Sequence, residues 1–232
     1  MIELEDSELK ELEYLKCDNR YIYDGNIYVP RTTEIISKCI HEDSLMVWSN
    51  NIGFKHKKYK DVLNIAAEYG TKVHYGIECF LKAKPIPIDT PMNSLIAFIN
   101  WWNTIIQNNS ISILGQEHKL VCKLYGGTYD LLLKINNKIY LTDFKTSNHI
   151  SYKYYLQLAA YRKMLKEIEN IDIDGTIILQ LSKNYPNYRE YVLNFDNKDH
   201  LNYINMAERT FNSMVYTYYH LNTLEKRFNN GL

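Results

Sequence analysis

Four cysteines, Cys17, Cys39, Cys79 and Cys122, are scattered through 232 residues without a Cys-x-x-Cys spacing. That argues against a zinc knuckle and a disulfide scaffold, and favours a reducing compartment. Long apolar runs are missing too, because Asn, Gln or Lys interrupts each of the longest ones. No transmembrane segment, signal peptide or transit peptide is visible, so no membrane partner is expected. The expected location is the cytoplasm, or the host cytoplasm for a viral chain. There is no internal repeat and no low-complexity stretch. A nucleoside-triphosphate loop is also absent, so a helicase or recombination partner would be a separate chain.

Charge of one sign is not in excess either. Lys plus Arg and Asp plus Glu number 27 each. A nucleic-acid partner is therefore not announced by net charge. The balance hides an asymmetry: the first sixteen residues hold six acids and two lysines, and without them 25 cations face 21 acids. That mild bias permits DNA binding without arguing for it. The chain is rich in Asn, Ile, Lys and Tyr, a composition that an AT-rich genome produces, so its 21 tyrosines carry little weight as stacking groups.

What is present centres on residues 126–145, GGTYDLLLKINNKIYLTDFK. The apolar runs Tyr129–Ile135 and Ile139–Phe144 flank Asn136-Asn137, which predicts a hairpin with a tight turn. Asp130 opens the first strand and Asp143 ends the second, each about six residues from the turn, so the register sets them side by side. Side chains alternate faces along a strand, so Asp143 and Lys145 point one way and Phe144 the other. Two carboxylates and a lysine meet at one end of a sheet. Carboxylate oxygens suit hard divalent cations such as Mg2+ or Mn2+. Taken alone, an Asp-x-Lys is usually a solvated surface pair; the second acid at matching register and the flanking features give it weight.

Residues 3–16 have helical spacing among acids, the pattern of a surface helix. Tyr21–Tyr23 and Ile27–Val29 flank Asp24-Gly25-Asn26 as a second hairpin. Thr32-Thr33 can cap a helix running through Ile35, Ile36 and Cys39. The run of Lys55, Lys57, Lys58 and Lys60 reads first as a solvated loop, and alternatively as a phosphate-contact patch beside a cleft. A helix is predicted over 61–84, with Val62, Ile65, Ala66, Tyr69, Val73, Ile77, Phe80 and Leu81 as its apolar stripe. Gly70, His74 and Glu78 lie four apart along the edge of that stripe. A second helix spans about 92–108, with Leu95, Ile96, Phe98, Trp102 and Ile106 as core.

A strand over 111–124 carries Glu117, which reads more simply as an exposed strand acid and otherwise as a further carboxylate for the metal site. After Lys145, Thr146-Ser147-Asn148 forms a cap and turn before a helix of about 152–168. Gln157 and Tyr161 share one face of that helix. Strands at Thr176–Leu181 and Tyr188–Leu193 and a helix of about 197–228 complete the chain, and a right-handed crossover makes the Asp143 and Thr176 strands parallel. The sum is an α/β fold: a mixed sheet with helices on both faces. Residues 1–60 are expected to form a helix, hairpin and helix packed on a core of 61–232, which ends in the long helix.

Gly-Gly-Thr-Tyr-Asp130, Asp143-Phe-Lys145-Thr-Ser, Gln157-x-x-x-Tyr161 and the preceding Gly70-Thr-x-x-His74 together resemble the PD-(D/E)XK nuclease superfamily. Within it they look like the RecB-type exonuclease branch, which includes phage and mitochondrial genome maintenance exonucleases. The resemblance covers roughly residues 30–195 and implies a restriction-endonuclease-like fold and metal-dependent hydrolysis of DNA at ends or in single strands during replication, recombination or repair. It implies His74, Asp130, Asp143 and the Phe144 carbonyl as metal ligands, with one or two Mg2+ or Mn2+ ions. Lys145 would position or activate the attacking water, and Gln157 and Tyr161 would orient the lysine or the DNA backbone; Thr146 follows as a further DNA contact. Tyr129 stands where the superfamily name places proline. Several relatives carry a four-cysteine iron–sulfur staple; the cysteines here lack its spacing, so none is expected. Two other functions are compatible with the pattern: an endonuclease or Holliday-junction resolvase on the same fold, and a non-catalytic nucleic-acid-binding subunit.

Overall fold

The computed structural model describes residues 21–41, 49, 53–54 and 58–230. The amphipathic stretch 3–16, Cys17, Lys55 and Lys57 lie outside the described residues. Among the described residues the first elements are the hairpin β1 (Tyr21–Tyr23) and β2 (Ile27–Val29), followed by α1 (Thr32–Cys39), α2 (Tyr59–Leu81) and α3 (Met92–Asn108). The strands β3 (Ile111–Val121), β4 (Gly126–Ile135) and β5 (Lys138–Lys145) come next. Then follow α4 (Lys153–Glu169), β6 (Gly175–Leu181), β7 (Tyr188–Asn194) and α5 (Lys198–Asn229). The fold is mixed α/β.

The main sheet has the order β3-β4-β5-β6-β7. All its pairings are antiparallel except β5 with β6, which run parallel across α4. The β4–β5 turn forms at Asn136-Asn137, with Asn136 at φ +56°. Such a backbone is open to Asn at little cost, which is why Asn favours hairpin turns. Register then follows: Ile135 pairs with Lys138 and the ladder runs to Leu131 opposite Thr142. Asp130 and Asp143 come one step later.

Alternation sends the two sets of side chains into two cores. Leu132, Leu141 and Ile178 pack with α1, α4 and α5, around Leu158, Met164, Ile204 and Phe211. Leu131, Leu133, Phe144, Ile177 and Leu179 pack with α2 and α3, around Val73, Ile77, Phe98 and Trp101. Helices thus cover both faces. Phe98 and Trp101 are fully buried, and burying side chains of this size contributes about 1.5–3 kcal/mol each.

Local expectations are corrected in three places. The apolar stripe of α2 is buried only from Val73 onward; Ile65 is 67% exposed and Ala66 is exposed as well, since an apolar stripe is buried only where a neighbouring element packs on it. On α3, Ile96 and Ile106 face outward. Neither predicted cap is used. The Thr32 hydroxyl donates to the Gly126 carbonyl, tying α1 to β4. At α4, Ser151 Oγ accepts from Lys153 N, while Ser147 donates to the His149 carbonyl. Among the described residues, no helix is long and apolar enough to cross a membrane.

Candidate active site

The site lies where β4 and β5 stop pairing. Asp130 turns its carboxylate back onto the partner strand: the Phe144 N–H donates to Asp130 Oδ2 at 2.6 Å. A side chain there replaces the backbone rung that the ladder lacks, and it fixes Oδ1 toward α2. Asp143 is buried beside it. Lys145 Nζ sits 2.7 Å from both Asp143 oxygens. Its N–H geometry, however, satisfies Oδ1 alone, and Oδ2 is buried with no hydrogen-bond partner among the described residues.

His74 reaches the same point from the opposite layer. It is carried by α2, where Gly70, one turn before it, faces Thr146; a Cβ there would lie 3.7 Å from Thr146 Oγ1, an ordinary contact that leaves room for a small side chain. Its Nδ1 is 3.3 Å from Asp130 Oδ1 and 3.6 Å from Glu117 Oε1. Its Nε2 is 3.2 Å from the Phe144 carbonyl oxygen. Phe144 holds the imidazole edge-on, with ring centroids 5.7 Å apart. Phe144, between Asp143 and Lys145, thus supplies a packing wall on one side and a backbone carbonyl on the other.

Glu117 is a member of this cluster, which corrects its simpler reading as an exposed strand acid. His118 pairs with Tyr129 and Gln116 with Leu131, so Glu117 falls directly opposite Asp130. Its backbone is at φ +45°, a left-handed conformation that a glutamate adopts only under constraint. A strand running to 124 with its turn at Tyr125-Gly126-Gly127 would set residue 117 level with about 135; the turn instead lies between Val121 and Gly126, and the two glycines belong to β4, which brings residue 117 level with residue 130.

α4 supplies the third side. Gln157 Oε1 lies at 3.5 Å from Lys145 Nζ, and Gln157 Nε2 donates to the Tyr161 hydroxyl at 3.1 Å. The Tyr154 ring lies under the lysine ammonium, 4.7 Å from Nζ; sequence reading did not single out Tyr154. Tyr161 approaches so closely because residue 127 is glycine: a Cβ there would sit 2.2 Å from the ring. Gly126 does the same for Tyr21, at 2.5 Å, and Tyr21 in turn hydrogen-bonds Thr128 at 2.9 Å. Gly126-Gly127-Thr128 is thus a landing strip for two tyrosines.

The charges are arranged in series. Burial works against a charged His74, but Asp130 and Glu117 outweigh it and raise the imidazole to about 10. Burial opposes the charge on Asp130 as well, and His74 outweighs it, holding the carboxyl below its usual range. Asp143 is pushed up to about 6, by burial first, against the pull of Lys145. Lys145 is raised, the carboxylates of Asp143 and Asp130 overcoming its burial. At neutral pH the histidine is an imidazolium that occupies the space among Asp130, Glu117 and the Phe144 carbonyl.

These residues fit a hard divalent cation. Candidate ligand atoms of His74, Glu117 and Asp130 lie within 4.8 Å of one another; Asp143 is outside that group and is held by Lys145, 2.7 Å from its Oδ2. An oxygen-rich set with one imidazole suits Mg2+ or Mn2+. Of the predicted DNA contacts, Thr146 is half-buried at the site, whereas Lys58 and Lys60 are exposed at the start of α2.

No family model matches the chain, and no curated protein matches it. A solved structure titled "Crystal structure of SSO0001" is similar to it at 15% identity and a TM-score of 0.38, covering 88% of this chain and 81% of that one.

Proposed function

We propose that the chain is a metal-dependent DNA exonuclease of the PD-(D/E)XK superfamily, RecB-type branch, with a restriction-endonuclease-like fold. One observation carries this reading: Asp130, Asp143, Lys145 and His74, from three elements, converge on one sheet end. Two buried carboxylates beside a lysine and a histidine are costly to gather without a charged ligand to hold.

A bound Mg2+ or Mn2+ supplies Lewis-acid charge that polarises the phosphate and acidifies water at this site. Asp130 and Asp143, with His74, Glu117 and the Phe144 carbonyl, would hold it. Lys145 is an ammonium at neutral pH, so it serves as a donor that orients the attacking water and balances charge on the phosphate; it does not take up the proton. Gln157 and Tyr161 are positioning residues. Tyr161 accepts from the amide nitrogen of Gln157, which leaves the amide oxygen turned toward Lys145. In hydrolysis the water oxygen joins phosphorus and gives up a proton to solvent, as the bond to the leaving deoxyribose oxygen breaks and that oxygen takes a proton from solvent.

Cleavage of end-labelled linear DNA and of closed circles tests this, with Mg2+, Mn2+ or chelator, for wild type and Asp143→Ala. Metal-dependent loss of linear DNA, absent in the variant, is expected. Cutting of closed circles would replace the exonuclease reading by an endonuclease one, and no cleavage under any condition would reject catalysis.

A further inference from the structure

A second polar feature adjoins the site and has no part in it so far. Register carries the line of functional groups across the sheet. Glu117 lies opposite Asp130, and Asp130 neighbours Asp143. Lys145 then pairs with Gln180 on β6, and Gln180 with Arg189 on β7. Asp143 itself pairs with Ile178, so the acids lie on one rung and Lys145, Gln180 and Arg189 form a second row two residues further along; paired residues share a face, and this second row runs from a lysine through an amide to a guanidinium. Adjacent strands are about 4.8 Å apart, which sets Arg189 roughly 10 Å from Lys145.

Over the basic end of this row lies a cleft between the turn at 146–149 and the loop at 182–187. Ser147, Asn148, Lys183, Asn184 and Arg189 line it, and no acid does. Both of its walls are fixed. Gln180 Nε2 donates to the Ser147 carbonyl at 2.8 Å and its Oε1 accepts from the Tyr191 hydroxyl at 3.2 Å, so Gln180 is a strut. Tyr154, whose ring backs Lys145, donates its hydroxyl to Ser147 Oγ at 3.1 Å. On the other wall, Asn93 donates to the carbonyls of Lys183 and Asn184, Ser94 to that of Ser182, and Asn100 to that of Pro186. The Lys183 ammonium rests over the Tyr69 ring at 4.9 Å, and no carboxylate partner of Lys183 or Arg189 is found among the described residues. Tyr185, at the tip of the loop, is 70% exposed.

We propose that this cleft binds the backbone of a single-stranded nucleic acid beside the hydrolytic centre, with Lys183 and Arg189 as its phosphate contacts and Tyr185 as a stacking face for a base. The inference rests on the nuclease reading of the adjoining site. A rigid, acid-free cleft with two cations suits phosphodiesters, and an exposed aromatic ring at its mouth suits an unpaired base. The acidic rung would take the cation and the basic row the neighbouring phosphate.

The test is fluorescence anisotropy of a short labelled oligothymidine, its ribose counterpart and a duplex of equal length, with the full chain in chelator. Chelator prevents cleavage, so binding is read whether or not the chain is a nuclease, and the cleavage assay fails or succeeds separately. Lys183→Ala with Arg189→Ala should weaken single-strand binding at least tenfold. It should also flatten the log–log salt slope by about 1.4, two contacts at about 0.7 each. Arg189→Lys keeps the charge and should retain the slope, and manganese affinity by calorimetry should not change in any of these variants. Unchanged affinity and slope in the double variant would overturn the proposal. So would a wild type that binds the duplex and not the single strand.

Discussion

Glu117 holds a left-handed backbone, φ +45°, in the middle of a strand. Such a residue costs of order 1 kcal/mol and persists where its side chain is needed. Glu117→Gly and Glu117→Ala both lose the contact with His74, but only alanine keeps the strain. The glycine variant should therefore be more stable than the alanine variant by about 1 kcal/mol in the metal-free protein, or about 2–4 °C in Tm for a chain of this size, and both should weaken manganese binding. Thermal melts and calorimetry on both variants check this; an alanine variant as stable as the glycine one would mean that the backbone at 117 is not strained.

His74 gives a pH signature at the same scale. Its folded-state value of about 10 lies above the ordinary 6.5. The stability it contributes is full below pH 6.5 and is lost as pH rises toward 10. Because a cation must displace that proton, metal affinity should rise across the same window. Urea unfolding in chelator between pH 6.5 and 10 should show declining stability in wild type and a flatter profile in His74→Ala. Identical slopes would place the histidine outside the charge cluster.

At the scale of elements, two neighbouring glycines divide folding from function. Gly127→Ala meets the Tyr161 ring at 2.2 Å. It should cost about 1–3 kcal/mol by overpacking and also lower kcat, since Tyr161 orients Gln157 and through it Lys145. Gly126→Ala meets Tyr21 at 2.5 Å and should loosen the β1–β2 hairpin, with a similar fall in Tm but kcat largely kept. Equal kcat losses in the two would dissolve the distinction.

Elements also explain what the sequence could tell. The β4–β5 hairpin was legible because turn chemistry and alternation agree on one register, and that register alone brings Asp130 to Asp143. Gln157 and Tyr161 were legible from their spacing on the next helix. The exposure of Ile65 was not, because periodicity reports which face is apolar and says nothing of how far a neighbouring layer reaches. Asn184-Tyr185-Pro186-Asn187 was legible as the turn between the last two strands, but the placement of Lys183 and Arg189 was not, for a related reason: it depends on α3, whose Asn93, Ser94 and Asn100 hold the loop.

For the whole molecule, net charge is zero, so affinity for a polyanion has to come from local placement. Helices pack on both faces of the sheet, and the acids meet at its strand ends. A cation bound there links β4, β5 and α2, and should stabilise the entire fold. At a hundredfold excess over Kd, mass action gives about 2.7 kcal/mol, about 5–11 °C in Tm. Asp143→Ala should abolish that shift, and an unaltered shift would place metal binding elsewhere.

The most direct measurement is diffraction from manganese-soaked crystals at the manganese absorption edge. The account predicts an anomalous peak enclosed by His74, Asp130, Asp143 and the Phe144 carbonyl, and its loss in Asp143→Ala crystals. A protein that takes up no manganese there, or takes it up only at surface acids, would contradict the assignment of this sheet end as a metal-dependent hydrolytic centre.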